Sequence, residues 1–371
     1  MLSFLRERSG HIALAQLLLV ACLLLAGPAA ASIGDRLPEF QECVEVGLPD
    51  SRVLRIPWGQ LRQPRANTAT RYVNKKTAAP MRRIIPPSVR SDLIPTTISP
   101  HLTKNPDQTS LTLPQPALHR RLLLWTCPAE CDYTCQHIIT AARQSSSPPL
   151  PVVQFHGKWP FHRFLGMQEP LSVLFSLGNL AAHYYGLHHK VLPTMPASYS
   201  LRPFYIVLAR VGIATWFFSA VFHTRDFQVT EELDYFAAGA SVLYGLYYTV
   251  VRIFRLDRPS ARRGLKIWTG TCLALYACHV GYLKLGSWDY TYNMAANVAC
   301  GAVQNVLWSW FSWTRYRQSR RAWAAWPGIV VAWVLCAMSL ELLDFPPIWG
   351  SLDAHSLWHL GTIAPAVLWY K

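Results

Sequence analysis

The hydrophobic positions of this chain gather into seven long stretches in its C-terminal half. Each stretch has about 20 residues, the length that an α-helix needs to cross the hydrocarbon core of a membrane. They run over 170–188, 202–222, 233–252, 267–285, 292–312, 326–345 and 354–370. The pattern predicts an all-α membrane protein in which residues 170–371 form a bundle of seven transmembrane helices.

The N-terminal end has the pattern of a secretory signal peptide. Arginines precede an apolar run over 12–26, and small residues at 29–31 form a cleavage site. An uncleaved first anchor is the alternative, and in both cases the residues that follow are exported. We therefore expect residues 1–31 to be a signal peptide and residues 32–169 to form a lumenal region.

Part of this lumenal region has an unusual composition. From about residue 50 to residue 118 the chain is rich in Pro, Ser, Thr and Arg and lacks sustained periodicity. Such a stretch is typical of a disordered insertion or long loop. We assign it no chemistry.

Four cysteines flank the predicted insertion. Cys43 precedes it, and Cys127, Cys131 and Cys135 follow it at intervals of four residues. A zinc cluster is possible, but an oxidising lumen favours two disulfides. Three pairing schemes remain open on the sequence alone.

Positive charge along the chain indicates the orientation of the bundle. The loops after the third and fifth stretches are rich in arginine, whereas the second, fourth and sixth loops contain only Arg225. Lys and Arg collect in cytosolic loops of membrane proteins. The N-terminal region is therefore expected in the lumen and the C-terminus in the cytosol.

Composition agrees with a membrane protein. Hydrophobic residues make up 51% of the chain and charged residues 15%, against about 25% charged in ordinary soluble domains. The net charge of +15 does not indicate nucleic acid as a partner, because the basic residues divide between the insertion and the loops on one side of the membrane.

Candidate catalytic residues lie at the lumenal ends of three predicted spans. Ser219 and His223 end the second span one turn apart, Asp234 begins the third, and His355 and His359 begin the seventh. The i, i+4 spacing of the last two places both imidazoles on one helix face, within reach of a single metal ion. Residues from three helices thus share one depth in the membrane.

These residue types point to a zinc hydrolase. Three imidazoles and one water are ligands of a catalytic zinc ion, so we expect His223, His355 and His359 to bind Zn²⁺. Zinc lowers the pKa of bound water to about 7, which makes hydroxide available to attack an acyl carbonyl. Asp234 is predicted to hold the water as general base or to orient a histidine, and Ser219 to hydrogen-bond the oxyanion.

Each residue also has a simpler interpretation. A histidine at a helix end is usually an interface residue, Asp234 would favour a helix N-terminus, and Ser219 would bond a carbonyl of its own helix. Glu341 and Asp344 either join the site or mark the membrane boundary. The convergence on one membrane face favours the metal site.

A series of longer motifs runs through the chain in a fixed order. After Gly34-Asp35-Arg36 come WTCPAECDYTC at 125–135, QFHGKWPFHRFLGMQEP at 154–170, VFHTRD at 221–226, TEELDYF at 230–236, ELLDFPP at 341–347 and DAHSLWH at 353–359. Together they resemble the GPI-anchor lipid-remodelling family, which includes post-GPI-attachment-to-proteins factor three and its fungal Per-like counterparts. The resemblance covers nearly the whole chain outside the insertion.

This resemblance implies a phospholipase A2-like hydrolase of the endoplasmic reticulum or Golgi membrane. Such an enzyme removes the sn-2 fatty acyl chain from the lipid of GPI-anchored proteins, so those proteins and membrane lipids are the expected partners. More distantly, the chain is similar to seven-span hydrolases that include alkaline ceramidases and adiponectin receptors. Their zinc-site pattern falls here on Ser219 and His223, Asp234, and His355 and His359.

Other functions remain open on the sequence. A ceramidase would use the same site to cleave an amide, and a seven-span receptor or a folding factor in GPI-protein quality control would not hydrolyse lipid. The chain also departs from the family, because relatives commonly carry two more cysteines shortly after the position of Cys43. Here Val46 and Gly47 begin a different segment, which leaves one bridge fewer than in those relatives.

Overall fold

The structure, a computed structural model, describes residues 32–47, 117–286, 288–341 and 343–371. Within these ranges the chain is helical, and its β pairing consists of isolated bridges in loops. It divides into an N-terminal unit, which ends at Pro160, and a helical unit from Phe161 to Lys371. The predicted signal peptide and nearly all of the predicted insertion lie outside the described residues.

Three α-helices are described in the N-terminal unit: α1 (Pro38–Gly47), α2 (Leu118–Leu122) and α3 (Cys127–Ser145). A disulfide between Cys43 and Cys135 joins α1 to α3, and Phe40, Val44 and Ile139 are buried in the same core. The disulfide therefore fastens the segment before the predicted insertion to the segment after it.

The prediction of two disulfides is wrong, because these four cysteines form only one. Cys127 is exposed, Cys131 is buried, and both are free thiols. The three cysteines of α3 follow one another at one-turn intervals, whereas α1 contributes only Cys43, so a single bridge joins the two helices. Burial, together with the charge of Asp132, raises the pKa of the Cys131 thiol to about 11.

Seven long helices are described in the helical unit, and each overlaps one of the predicted hydrophobic stretches. They are α4 (Pro170–Tyr185), α5 (Arg202–Thr224), α6 (Gln228–Ile253), α7 (Arg262–Leu285), α8 (Tyr290–Ser319), α9 (Trp326–Glu341) and α10 (Ala354–Trp369). A π-helical turn, Gly186–Val191, continues α4.

Two of these helices, α5 and α6, are long and apolar enough to cross a membrane, judged by length and composition within the described part of the chain. By contrast, α9 and α10 have 16 residues each, fewer than the roughly 20 that match a hydrocarbon core, and α4 has 16 before its π-helical continuation. The all-helical prediction is confirmed for the described residues, while seven membrane crossings remain a prediction.

The contacts between helices close into a ring. In order around it, α4 packs against α5, α5 against α6, α6 against α8, α8 against α9, α9 against α10, and α10 against α4, while α7 packs against α6. Gly212 of α5 lets the His183 ring of α4 approach closely, because a Cβ at this position would lie 2.5 Å from His183 Nδ1. The ring brings α4 and α5, adjacent in sequence, into contact with the distant α10.

A proline inside α10 leaves one backbone carbonyl of that helix available to a donor from α9. Pro365 has no backbone N–H, so it cannot bond the carbonyl of Gly361 one turn earlier. The indole of Trp333 in α9 donates to that carbonyl instead, at 2.9 Å. This bond helps to hold α10, which carries two of the candidate ligands.

Candidate metal centre

The candidate metal centre lies where the start of α4, the end of α5 and the start of α10 come together. His223 is in the last turn of α5, and His355 and His359 are in the first two turns of α10. One ring nitrogen from each histidine lies within 4.8 Å of the other two. The three histidines that the sequence analysis grouped are thus neighbours in the fold.

A capping box determines where α10 begins. The Asp353 carboxylate accepts the backbone N–H of Ser356 at 2.9 Å, and the Ser356 hydroxyl accepts the backbone N–H of Asp353 at 3.0 Å. These bonds satisfy donors that a helix N-terminus leaves without partners. Because the cap sets the first turn, it also sets the positions of His355 and His359.

The segment before α4 closes the end of α5. Gln168 and Glu169 donate their backbone N–H groups to the carbonyls of Thr224 and His223, each at 3.0 Å. Carbonyls in the last turn of a helix have no partner within that helix, so these bonds also satisfy the end of α5. The pairing brings the Glu169 side chain beside the ring of His223.

Two of the imidazoles are held by carboxylates. His223 Nδ1 lies 2.7 Å from Glu169 Oε2, and His355 Nδ1 lies 2.8 Å from Glu341 Oε2. An ionised carboxylate only accepts hydrogen bonds, so both rings carry a hydrogen on Nδ1 and donate it. In the neutral ring Nε2 then presents a lone pair, as in metal-bound histidines with a carboxylate partner.

The third imidazole, His359, is held by α4. Its Nδ1 lies 3.0 Å from the Ser176 hydroxyl and 3.4 Å from the Ser172 carbonyl. The ring also packs edge-on to Trp216, with centroids 5.2 Å apart. These contacts leave Nε2 as the nitrogen available to a ligand.

The spacing of the nitrogens fits zinc. His223 Nε2 and His355 Nε2 lie 3.4 Å apart. Two Zn–N bonds of about 2.0–2.1 Å in a tetrahedron separate their nitrogens by about 3.4 Å. The ligand nitrogens of the three histidines lie no more than 4.8 Å apart. To reach the tetrahedral spacing of about 3.4 Å, two of them would move together by no more than about 1.4 Å.

The 3.4 Å between the two Nε2 atoms is compatible with a long N–H···N hydrogen bond and with a metal ion between the rings. When both rings are neutral and carry their hydrogen on Nδ1, the two Nε2 lone pairs face each other. Two lone pairs that face each other repel, and a cation between them removes that repulsion. The residues present therefore fit a metal ion with three imidazole ligands.

The three histidines differ in their exposure. His223 and His359 are buried, whereas the His355 side chain is 39% exposed. Three protein ligands with access at one of them leave a position for water or substrate, as in catalytic zinc sites.

Ser219 and Asp234 occupy different positions relative to the histidines. Ser219 is buried one turn before His223, and its hydroxyl lies 3.1 Å from that of Ser176. Asp234 is half-buried near the start of α6 and does not belong to the group of ligand atoms within 4.8 Å. Its role as a base or orienting group, rather than a ligand, stays a prediction.

Comparison with known proteins adds to this geometry. The model of the Per1-like family matches residues 117–371. The chain belongs to the Per1-like family. The resemblance that the motifs indicated is thereby confirmed.

Similar proteins include Per1-like members from fungi and animals. A PER1 homolog from Schizosaccharomyces pombe is 44% identical over 70% of this chain and 76% of its own. Post-GPI attachment to proteins factor 3 of Drosophila melanogaster is 42% identical over 69% and 76%, and the human GPI-specific phospholipase A2-like PGAP3 is 39% identical over 68% and 77%. No solved structure matches the chain.

Some residues around the centre of this Per1-like protein were missed by sequence reasoning. Glu169 lies just before the first predicted span, and Ser176 lies inside it. A signal was present for the serine, because Ser172, Ser176 and Asn179 share one face of an otherwise apolar helix. All three are buried in the structure. For Glu341, which the sequence places either in the site or at the membrane boundary, the structure shows contact with His355.

Proposed function

We propose that this Per1-like protein is a zinc-dependent, phospholipase A2-like hydrolase that removes the sn-2 acyl chain from the lipid of GPI-anchored proteins. The metal part is supported by three imidazoles that are each held at Nδ1 and that each offer one ring nitrogen within 4.8 Å of the other two. The substrate part is supported by relatives that are named GPI-specific phospholipase A2-like and post-GPI attachment factor.

The arrangement favours a catalytic over a structural metal. A structural zinc site is closed by four protein ligands, whereas the group here has three histidines with one partly exposed. When bound, zinc supplies a Lewis acid that polarises an acyl carbonyl and lowers the pKa of water. The ester carbonyl of a lipid would approach from the side of His355.

The protein's own residues orient the reactants. In the neutral rings of His223 and His355, Glu169 and Glu341 hold the hydrogen on Nδ1, which places the lone pair on Nε2. We assign Ser219 the role of donating its O–H to the carbonyl oxygen as negative charge builds there. Asp234 would accept a proton from the attacking water.

The proposal includes a membrane arrangement. The two apolar helices α5 and α6 support a membrane location. Both contribute proposed site residues, so the site would lie near one membrane surface. We propose seven spans in the endoplasmic reticulum or Golgi membrane, with the N-terminal unit lumenal and the C-terminus cytosolic, following the arginine-rich loops.

The test measures metal and product in the same samples. Protein purified in detergent is assayed for zinc by elemental analysis, and for fatty acid released from GPI lipid by mass spectrometry that distinguishes the sn-1 and sn-2 chains. Single changes of His223, His355 or His359 to Ala should remove most zinc and activity. His279→Ala, a histidine of α7 outside the centre, is the matched control and should retain both.

The two other predicted residues should behave differently. Asp234→Asn should keep zinc and lose turnover, because this carboxylate is not a ligand. Ser219→Ala should keep zinc while the rate falls by about 10²–10³, the usual effect of losing one oxyanion donor. Normal zinc and lipid cleavage in the His355→Ala, His359→Ala double variant would refute the proposed site, and release from ceramide but not GPI lipid would refute the substrate.

A further inference from the structure

Ser176 connects two parts of the proposed site that are otherwise separate. Its hydroxyl lies 3.0 Å from His359 Nδ1 and 3.1 Å from the hydroxyl of Ser219. Ser176 is fully buried and Ser219 is 4% exposed. Water therefore has little access to replace either contact.

We infer that Ser176 is a positioning residue that couples metal binding at His359 to the direction of the Ser219 hydroxyl. This inference rests on the proposed function, because it concerns the same metal site. The coupling follows from counting the hydrogens that the three groups share.

With a metal at Nε2, the neutral His359 ring must carry its hydrogen on Nδ1. That N–H donates to the Ser176 oxygen at 3.0 Å, with the Ser172 carbonyl as a second, longer acceptor at 3.4 Å. The single hydrogen of Ser176 then donates to the Ser219 oxygen, since this is the second polar contact of its hydroxyl. Ser219 is left as an acceptor at this contact, and its own hydrogen is free to point to an oxygen of the substrate.

Without the metal, the direction of the chain can reverse. The hydrogen of His359 can move to Nε2, Nδ1 then accepts from Ser176, and Ser176 in turn accepts from Ser219. The Ser219 hydrogen now points to Ser176 rather than to the substrate. Metal binding and the orientation of the oxyanion donor are therefore linked through one buried hydroxyl.

A second residue of α4, Asn179, holds α10 in place independently of Ser176. The Asn179 amide donates to the backbone carbonyl of His359 at 2.7 Å. It thereby holds the α10 backbone on α4 without contacting the His359 ring nitrogen. Removing the Ser176 hydroxyl should thus leave Nδ1 of His359 with only the longer contact to the Ser172 carbonyl, while the Asn179 bond still holds the helix in place.

The first readout is zinc affinity, which does not depend on turnover. It is measured in detergent by competition with a chelator of known affinity. Ser176→Ala should weaken zinc binding about 10- to 100-fold, the usual effect of removing a partner of a metal-bound histidine. Ser312→Ala is the matched control, because it removes a buried serine hydroxyl of α8 that donates to the Ala324 carbonyl, and it should bind zinc normally.

The second readout is turnover at saturating zinc. Ser176→Ala should lower kcat and leave KM unchanged, because no group at this contact then fixes the direction of the Ser219 hydroxyl. Adding Ser219→Ala to Ser176→Ala should lower kcat little further, since both changes weaken the same donated bond. If Ser176→Ala does not fold, Ser176→Cys serves instead, because a thiol of similar size is a weak hydrogen-bond partner.

The outcomes separate this inference from the proposed function. Wild-type protein that binds no zinc or releases no acyl chain contradicts the proposed function. If wild type does both, the inference is overturned when Ser176→Ala binds zinc as tightly as wild type, or when the two serine substitutions reduce kcat independently. The result expected is weaker zinc binding with overlapping effects on kcat.

Discussion

Replacing Glu169 with Gln should weaken zinc binding more than the same change at Glu341. Both carboxylates accept from Nδ1 of a proposed ligand, but their surroundings differ. The Glu169 side chain is 5% exposed and 2.7 Å from its histidine, whereas the Glu341 side chain is 21% exposed. Water can partly replace the Glu341 carboxylate and has little access to the position of Glu169.

The size of the effect follows from the kind of hydrogen bond. A bond to a charged group contributes about 1.5–3 kcal/mol, and every 1.4 kcal/mol is a factor of about ten in affinity. Glu169→Gln keeps the size of the side chain and removes its charge, so zinc affinity should fall about 10- to 100-fold, as for other partners of metal-bound histidines. Glu341→Gln should lie near or below the lower end of this range.

The assay is chelator competition on purified protein, with both variants measured beside Glu232→Gln. Glu232 forms an ion pair with Lys284 at 2.7 Å, so its substitution removes a paired carboxylate that does not contact a proposed ligand. This control should bind zinc like the wild type. Unchanged affinity in both test variants would show that the carboxylates do not hold metal ligands as described. A larger loss at Glu341 would show that exposure of the carboxylate does not set the size of the effect.

Three further predictions concern the N-terminal unit and the membrane. Alkylation at neutral pH followed by mass spectrometry should label Cys127 and spare Cys131, because burial raises the pKa of the Cys131 thiol to about 11 and keeps it protonated below that pH; equal labelling would contradict this. Cys43→Ser should destabilise the N-terminal unit by about 4–5 kcal/mol, as expected for a bridge across a sequence separation of 92, and an unchanged protease-resistance midpoint in denaturant would contradict it. A tag at Lys371 should be cleaved by protease added outside sealed microsomes, and protection would contradict the proposed orientation.

The helices were predictable because their signals are local. A stretch of apolar residues long enough to span a membrane forms a helix in most contexts, and α4 to α10 overlap the seven stretches. The pair His355 and His359 was likewise predictable, since four residues along one helix return a side chain to the same face. His223 could be added to this pair as a third candidate ligand. The charge pattern placed the end of its helix on the same side of the membrane as the start of the last helix.

The partners of the histidines were not predictable in the same way. Glu169 was assigned to the region before the first span, and only the backbone pairing of 168–169 with the end of α5 brings it to His223. Ser176 lies 183 residues before His359. Its position on a polar helix face was visible, but the rotation that turns this face toward α10 was not.

The cysteines illustrate the same limit. Their number and spacing indicated bridging between the segments on either side of the predicted insertion, and the Cys43–Cys135 bond joins these segments. The spacing did not show which turn of α3 faces α1. Disulfide formation needs two Cα atoms about 4.4–6.8 Å apart, and that condition depends on packing.

The sequence by itself determined where the helices lie, which family the chain belongs to, and which three histidines form one candidate group. Apolar length, motif order and helical periodicity are properties of the linear chain. Only the tertiary structure decided which groups hold each imidazole, which cysteines pair, and that Ser176 lies between His359 and Ser219. Hydrogen bonds of about 3 Å depend on the rotation and depth of one helix against another. Those two quantities come from packing across the whole ring of helices, which no single segment encodes.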